Sequence, residues 1–246
     1  MRLPIAPPPG PRAPVAAISF DGDDTLWDFA SGFDAAVEHT ARLLTEALGG
    51  PPVTVRWLHE VRDEVALGLP GAGYGVIRRA AFAESVRRRG GAPGLAEELH
   101  RAFNAVRAER TELYPETLDV LRGLASRMPL ALTSNGNTEL GWLGLESLFT
   151  VVTRAAECGI HKPDPGIYLL TAERLGVPPG QVLHVGDHPV EDLAGARAAG
   201  LPALLLDRTG RTPGALASLS GLTELTGLTG LTDLTGLPDG RHGVTA

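Results

Sequence analysis

The chain has 246 residues, 43% of them apolar, enough to pack a core in one good-sized domain with an insertion or in two small ones. A net charge of −7, from 22 Lys+Arg against 29 Asp+Glu, argues against a nucleic-acid partner, whose phosphates call for a basic face. The single cysteine, Cys158, excludes an internal disulfide and any multi-cysteine metal site.

The opening segment, "MRLPIAPPPGPRAP" (1–14), is too rich in proline to be a signal peptide and reads as an extended leader. No apolar run reaches the roughly 18 residues that span a bilayer, so the expectation is a cytoplasmic protein without a membrane partner. The first apolar run, "VAAISF" (15–20), is continuous rather than alternating, as in a strand buried on both faces of a parallel sheet. Directly after it, "FDGDDTLWD" places Asp21, Asp23, Asp24 and Asp28 almost on top of one another. Like charges that close repel, and desolvation sharpens the repulsion. Such a segment is either a solvated turn or a place where something positive sits.

Residues 29–113 then separate this strand from the next, far more chain than one crossover helix requires. Amphipathic patterns near 31–48, 54–67, 76–90 and 95–111, punctuated by "GGPPV", "GLPGAGYG" and "GGAPG", predict a helical subdomain inserted there. Within it, Arg78 and Arg79 either reach a phosphorylated substrate or sit on a helix surface, and "RRR" (87–89) suits a helix C-terminal turn. "GAGYG" (71–75) lacks the strand and spacing of a nucleotide fingerprint and reads as a loop or hinge.

The helix "ETLDVLRGLASR" (116–127) returns to the core and leads into the strand "PLALTS" (129–134). Strands "FTVVT" (149–153), "QVLHVG" (181–186) and "PALLLD" (202–207) follow, separated by helical patterns at 138–147, 163–176 and 190–199, the last closed by Gly200. This alternation predicts an α/β fold, a doubly wound parallel sheet, with its core at 15–28 and 114–212. Beyond it, leucine recurs at every third residue from Leu216 to Leu237, a period of neither helix nor strand. Residues 213–246 therefore read as a low-complexity Leu/Thr/Gly tail, either with one helical turn docked on the core or serving as an interaction surface.

Open α/β sheets bind ligands at the carboxyl ends of their strands. At those ends the sequence places Asp21 and Asp23, then Ser134 followed by Asn135, then Lys162 in "KPDP", then Asp187 and Asp192 in "GDHPVEDLAGA". Thr133 competes with Ser134 for the role of the hydroxyl, and Glu191 with Asp192 for that of the distal acid. His188 reads as a loop histidine or a substrate contact, whereas His161 and His184 read as structural.

"DGDDT" (21–25) resembles the D-x-D-x-T signature of the haloacid dehalogenase-like (HAD) hydrolase superfamily. "LTSNG", "HKPDPGIY" and "VGDHPVEDLAGARAAG" resemble its second, lysine and GDxxxxD motifs, in the family's order. The long insert matches the branch that carries a helical cap between motifs one and two. The resemblance implies a HAD-like Rossmannoid core and a Mg²⁺-dependent phosphatase acting on a small phosphorylated metabolite: a sugar phosphate, phosphoglycolate or a nucleoside monophosphate. It implies Asp21 as nucleophile and metal ligand, and Asp23 as general acid and base whose backbone carbonyl also meets the metal. Asp187 and Asp192 would complete the metal site, Lys162 would offset the anionic charge, and Ser134, Asn135 and Lys162 would bind the phosphoryl group. It also fixes Asp192 over Glu191 and favours Ser134 over Thr133. Asp24 and Asp28 then read as turn or cap residues, and Thr25 as a support that hydrogen-bonds backbone beside the nucleophile. On this reading the crowd of carboxylates is tolerable because a divalent cation and a lysine share the space. A 2-haloacid dehalogenase or a phosphomutase of the same superfamily, or a non-catalytic interaction protein working through its tail, are the alternatives; a monomer or homodimer is expected.

Overall fold

The computed structural model describes residues 14–222, so the proline-rich leader and most of the Leu/Thr/Gly tail lie outside the described residues. The first apolar run forms β1 (Ala17–Phe20), and after a turn comes the two-residue β2 (Trp27–Asp28). Four helices follow, α1 (Phe29–Leu48), α2 (Val55–Leu67), α3 (Tyr74–Arg88) and α4 (Gly94–Arg110), then the short β3 (Glu112–Leu113). The remainder alternates: α5 (Thr117–Ala125), β4 (Leu130–Ser134), β5 (Val151–Arg154), the one-turn α6 (Ala155–Cys158), α7 (Pro165–Leu175), β6 (Val182–Gly186), α8 (Gly195–Ala198) and β7 (Ala203–Leu205). β1, β4, β5, β6 and β7 make one sheet in the order β5-β4-β1-β6-β7, every pair parallel, which is the α/β class expected.

The two-residue period of a strand sorts the sheet into two faces. Ile18 and Phe20, Leu130 and Leu132, and Leu183 and Val185 join Leu121 and Leu124 of α5 in one apolar core. The other face packs Ala17 and Val182 against Ile167, Tyr168 and Ala172 of α7. That face also carries Ser19, Thr133 and His184, all fully buried. They are tolerated because they satisfy one another: Ser19 Oγ lies 2.8 Å from Thr133 Oγ1 and 3.1 Å from His184 Nδ1, and Thr133 Oγ1 lies 2.9 Å from Thr171 Oγ1 on α7.

The helices of the insert build a separate core around Leu44, Leu58, Phe82, Leu99 and Phe103, with α1 packed on α4 and α2 on α3. Asp28 caps α1 by accepting from Ser31 N at 3.2 Å, and Thr54 caps α2 by accepting from Trp57 N at 3.1 Å. β2 and β3 pair antiparallel, Trp27 opposite Leu113 and Asp28 opposite Glu112, so the chain enters and leaves the insert at one place. Among the described residues no helix is long and apolar enough to cross a membrane.

Three elements differ from the sequence reading. The helix expected at 138–147 is two 3₁₀ turns, Leu140–Leu143 and Glu146–Leu148, because Gly144 at φ 67° breaks the run in a left-handed conformation. The helix expected at 190–199 opens as a wide π-helical turn, Pro189–Ala194, in which both Asp192 N and Leu193 N reach His188 O before α8 begins. Finally, the boundary at residue 212 is no break, and the first residues of the tail follow the docked-turn alternative. Leu216 bridges to Leu206, and Leu219 and Leu222, 0% and 1% exposed, pack into the sheet's first core. Leu219→Ala should therefore lower the unfolding free energy by about 2–4 kcal/mol, and the half-buried Leu216→Ala by less. Urea denaturation followed by tryptophan fluorescence checks this, and a negligible effect at Leu219 would contradict its packing.

Candidate active site

The carboxyl ends of the three central strands, β4, β1 and β6, deliver Ser134, Asp21 and Asp187 side by side. Asp21 extends β1 by one residue, its N–H donating to Val185 O at 2.9 Å. The chain then turns sharply. Gly22 has no room for a side chain, since a Cβ there would lie 2.5 Å from the Trp27 ring, and Asp24 takes the left-handed conformation at φ 61°. Asp24 accepts from Phe29 N at 3.2 Å. Asp24 and Asp28 thus serve the turn and the α1 cap. Thr25 points elsewhere than expected: its hydroxyl donates to Asp187 Oδ1 at 3.3 Å instead of to backbone.

Lys162 stands among the acids, 4% exposed, its Nζ 2.5 Å from Asp21 Oδ1 and 2.6 Å from Asp192 Oδ1. One carboxylate oxygen from each of Asp21, Asp187 and Asp192 lies within 4.8 Å of the others. The carboxylate of Asp23 lies outside that trio and is held separately: its Oδ1 accepts from Trp27 Nε1 at 2.7 Å and from Thr138 Oγ1 at 3.0 Å. Its Oδ2 accepts no hydrogen bond from a described residue and faces Gly136, where a Cβ would come within 2.2 Å of it.

Asn135 does something other than reach for a ligand. Its Oδ1 accepts from Lys162 N at 2.8 Å, and its Nδ2 donates to Lys162 O at 3.1 Å and to Glu191 Oε2 at 2.9 Å. The side-chain amide is thereby occupied in fixing the backbone that aims Lys162. Ser134 Oγ accepts from Gly136 N at 2.9 Å, which leaves its hydroxyl hydrogen free. Thr133 lies on the opposite face of the sheet, bonded to Ser19 and Thr171. His188 Nδ1 accepts from Glu191 N at 3.0 Å and so caps its own turn.

Electrostatically the cluster holds more acid than base. Burial works against the Lys162 ammonium, but Asp21 and Asp192 outweigh it and hold its pKa well above the ordinary lysine value. Burial also opposes the Asp192 charge, yet Lys162 and His184 bring its pKa far below the ordinary carboxylate value. Asp192 accepts from Lys162, from His184 Nε2 at 3.1 Å and from His188 N at 2.9 Å. Burial lowers the pKa of His184, so the neutral ring donates from Nε2 to Asp192 and accepts at Nδ1 from Ser19. The other two acids are less well served. Burial raises Asp21 well above its usual value, with Lys162 offsetting only part. Burial, reinforced by Asp192 and Asp24, raises Asp187 to about 6. One ammonium facing three carboxylates of hard oxygen donors is a donor set that suits a divalent cation.

Above this floor lies a cavity of about 440 Å³, roofed by the helical insert through Phe33, Leu58, Arg78, Phe82 and Phe103. Arg79 is turned outward and paired with Glu97 at 3.1 Å. The insert also reaches the floor at a point that sequence reasoning missed. Arg107 of α4, fully buried, donates to Asn137 Oδ1 at 2.9 Å and to Thr138 Oγ1 at 2.8 Å, and Thr138 is a partner of Asp23. The signal was available: Leu99, Phe103 and Arg107 recur at every fourth residue, placing an arginine on the apolar stripe of α4.

The family model of haloacid dehalogenase-like hydrolases matches residues 15–200. A phosphoserine phosphatase of Thermus thermophilus is 35% identical over 72% of this chain and 76% of its own length. A 5-amino-6-(5-phospho-D-ribitylamino)uracil phosphatase of Escherichia coli is 31% identical over 78% and 84%. Among solved structures, a 2-haloacid dehalogenase from Pseudomonas syringae pv. Tomato aligns with a TM-score of 0.76 at 32% identity, covering 87% of this chain and 98% of that one.

The shared ammonium gives a direct test. Lys162→Met leaves the two buried carboxylates of Asp21 and Asp192 without their counter-charge and should cost about 3–5 kcal/mol of stability at neutral pH in the presence of a chelator. With the lysine gone, the acids bind protons more tightly folded than unfolded, so the deficit should shrink as pH falls toward about 5. Denaturation of both proteins across that range checks it; a pH-independent deficit would contradict the charge argument.

Proposed function

The chain belongs to the haloacid dehalogenase-like hydrolases, and from that premise we propose that it is a Mg²⁺-dependent phosphatase of small phosphomonoesters, working through an aspartyl-phosphate on Asp21. The observation that carries the reading is the setting of Asp23, anchored at Oδ1 by Trp27 and Thr138 while Oδ2 remains uncommitted beside the cavity. An alkoxide leaving a phosphate ester must be protonated, and a positioned carboxyl group supplies that proton. A halide leaves without one. The sequence relatives named as phosphatases support the same choice.

Mg²⁺ would be held by Asp21, Asp187 and Asp192 with the backbone carbonyl of Asp23, an all-oxygen set carrying surplus negative charge. When bound, the ion neutralises the phosphoryl oxygens and polarises phosphorus toward attack. The carboxylate of Asp21 attacks phosphorus as the bond to the leaving oxygen breaks, and Asp23 gives its proton to that oxygen. Asp23, now a carboxylate, takes a proton from the water that hydrolyses the aspartyl-phosphate. Lys162 and Ser134 donate to the phosphoryl oxygens, and the apolar roof keeps bulk water from the intermediate.

A second reading, 2-haloacid dehalogenase, draws on the structural likeness to such an enzyme and on the same apolar roof. Phosphate release from a panel of small phosphomonoesters, with and without Mg²⁺, separates the two. Metal-dependent release that Asp21→Asn abolishes is expected, and metal-independent halide release from 2-chloropropionate would overturn the proposal. Asp23→Asn should lower kcat by about 10²–10⁴-fold while leaving the Mg²⁺-induced rise in melting temperature in place. That rise should itself depend on pH. Because the pKa of Asp187 stands at about 6, protons displace the metal below it, and the shift should be full near neutrality and fade as pH falls through about 6. A shift unchanged across that range would remove Asp187 from the metal site.

A further inference from the structure

Arg78 stands on the second turn of α3 with 8% of its surface exposed, and its guanidinium makes no hydrogen bond or ion pair to any described residue. Its neighbours are treated differently. Arg79 pairs with Glu97, and the other buried arginine of the insert, Arg107, is served by Asn137 and Thr138. Arg78 instead lies over the ring of Phe103, 4.6 Å from its centre, and 5.7 Å from that of Phe33, and it lines the cavity that opens onto Asp21 and Asp23. Removing a cation from water without an anion is costly, and a site that does so is preorganised for an anion that arrives later. Burial and the nearby Arg107 lower its pKa only to about 10, so the group still carries its charge near neutrality.

We propose that Arg78 receives a carboxylate borne by the leaving group, so that the substrate is the phosphate monoester of a small hydroxy acid; this deepens, and rests on, the phosphatase reading. The phosphoryl group already has its partners on the floor, in Lys162, Ser134 and the metal site. Arg78 belongs to the helical roof of the cavity that Asp23 also lines. One guanidinium balances the single charge of a carboxylate, whereas a second phosphate would bring up to two. Phe103 lies against the guanidinium, whose N–H donors lie in its own plane, the arrangement that a planar carboxylate meets with two parallel hydrogen bonds. Arg78 and Asp23 line the same cavity of about 440 Å³, which has room for a small acid beyond the ester oxygen. The apolar walls strengthen such a pair by keeping the local dielectric low.

The test compares the phosphate esters of glycolic and lactic acids with those of the corresponding amides, alongside p-nitrophenyl phosphate, in the full-length wild type, Arg78→Lys and Arg78→Met. In the wild type kcat/KM should favour each acid over its amide by about 10²-fold, as expected when a buried charged partner would otherwise be left unpaired. The ratio should fall to within a few-fold of one in Arg78→Met and be partly kept in Arg78→Lys. A ratio near one in the wild type, or one that Arg78→Met leaves intact, would overturn the assignment. So would an equal loss on all five esters, which would place Arg78 on the phosphoryl group. Should Arg78→Met fail to fold, the wild-type and Arg78→Lys ratios decide the matter. Absence of phosphate release from every ester, p-nitrophenyl phosphate included, would instead bring down the phosphatase reading and this inference with it.

Discussion

A single buried ammonium shared between two carboxylates, with a third close by, is the constraint around which this chain is arranged. Unpaired, any one of these charges would be intolerable in the interior. Much of the surrounding polarity follows from keeping them in register. Asn135 clamps the backbone on both sides of Lys162, the π-helical turn brings Asp192 inward, and His184 supplies that acid with a neutral donor. The row Ser19–Thr133–Thr171, otherwise out of place beneath a parallel sheet, extends the same chain of bonds through the core to α7. Polar groups in the fold's interior are thus a consequence of charge at its edge.

A second dependence runs from the helical insert to the floor. Arg107 of α4 donates to Thr138, and Thr138 to Asp23, so the proton-donating group of the proposed mechanism is oriented partly by a helix outside the sheet. Trp27 provides the other bond from the junction itself. The carboxylate that the proposed mechanism sets at the leaving group is therefore supported by the two parts of the molecule that meet over it.

Continuous apolar runs ending in Ser134, Asp21 and Asp187 made the central strands legible from sequence, and Gly/Pro punctuation separated the four helices of the insert. Strands buried on both faces and well-capped helices carry their signal locally. What escaped depends on partners distant in sequence. The amide of Asn135 reads as a ligand for phosphate until Lys162 and Glu191 are seen to occupy it. Thr25 meets Asp187 across 162 positions of chain. Leu219 and Leu222 sit in a repetitive run whose period is neither helical nor extended, so only their burial shows that they belong to the core. Arg78 and Arg107 look like surface arginines unless the apolar stripe of each helix is followed to its end.

The ribbon formed by β2 and β3 has a consequence for how such a molecule diversifies. Trp27 lies opposite Leu113 and Asp28 opposite Glu112, so everything that roofs the cavity hangs from two adjacent backbone positions. An excision there leaves two ends that a tight turn can rejoin, and a different helical unit can be spliced in without shifting the register of any strand in the sheet. Recombination at this junction exchanges the lining of the cavity roof while the charged floor is inherited whole. The one correction a newcomer must make is to furnish its own hydrogen bond to Thr138, since among the described residues Arg107 alone of the insert donates to this partner of Asp23.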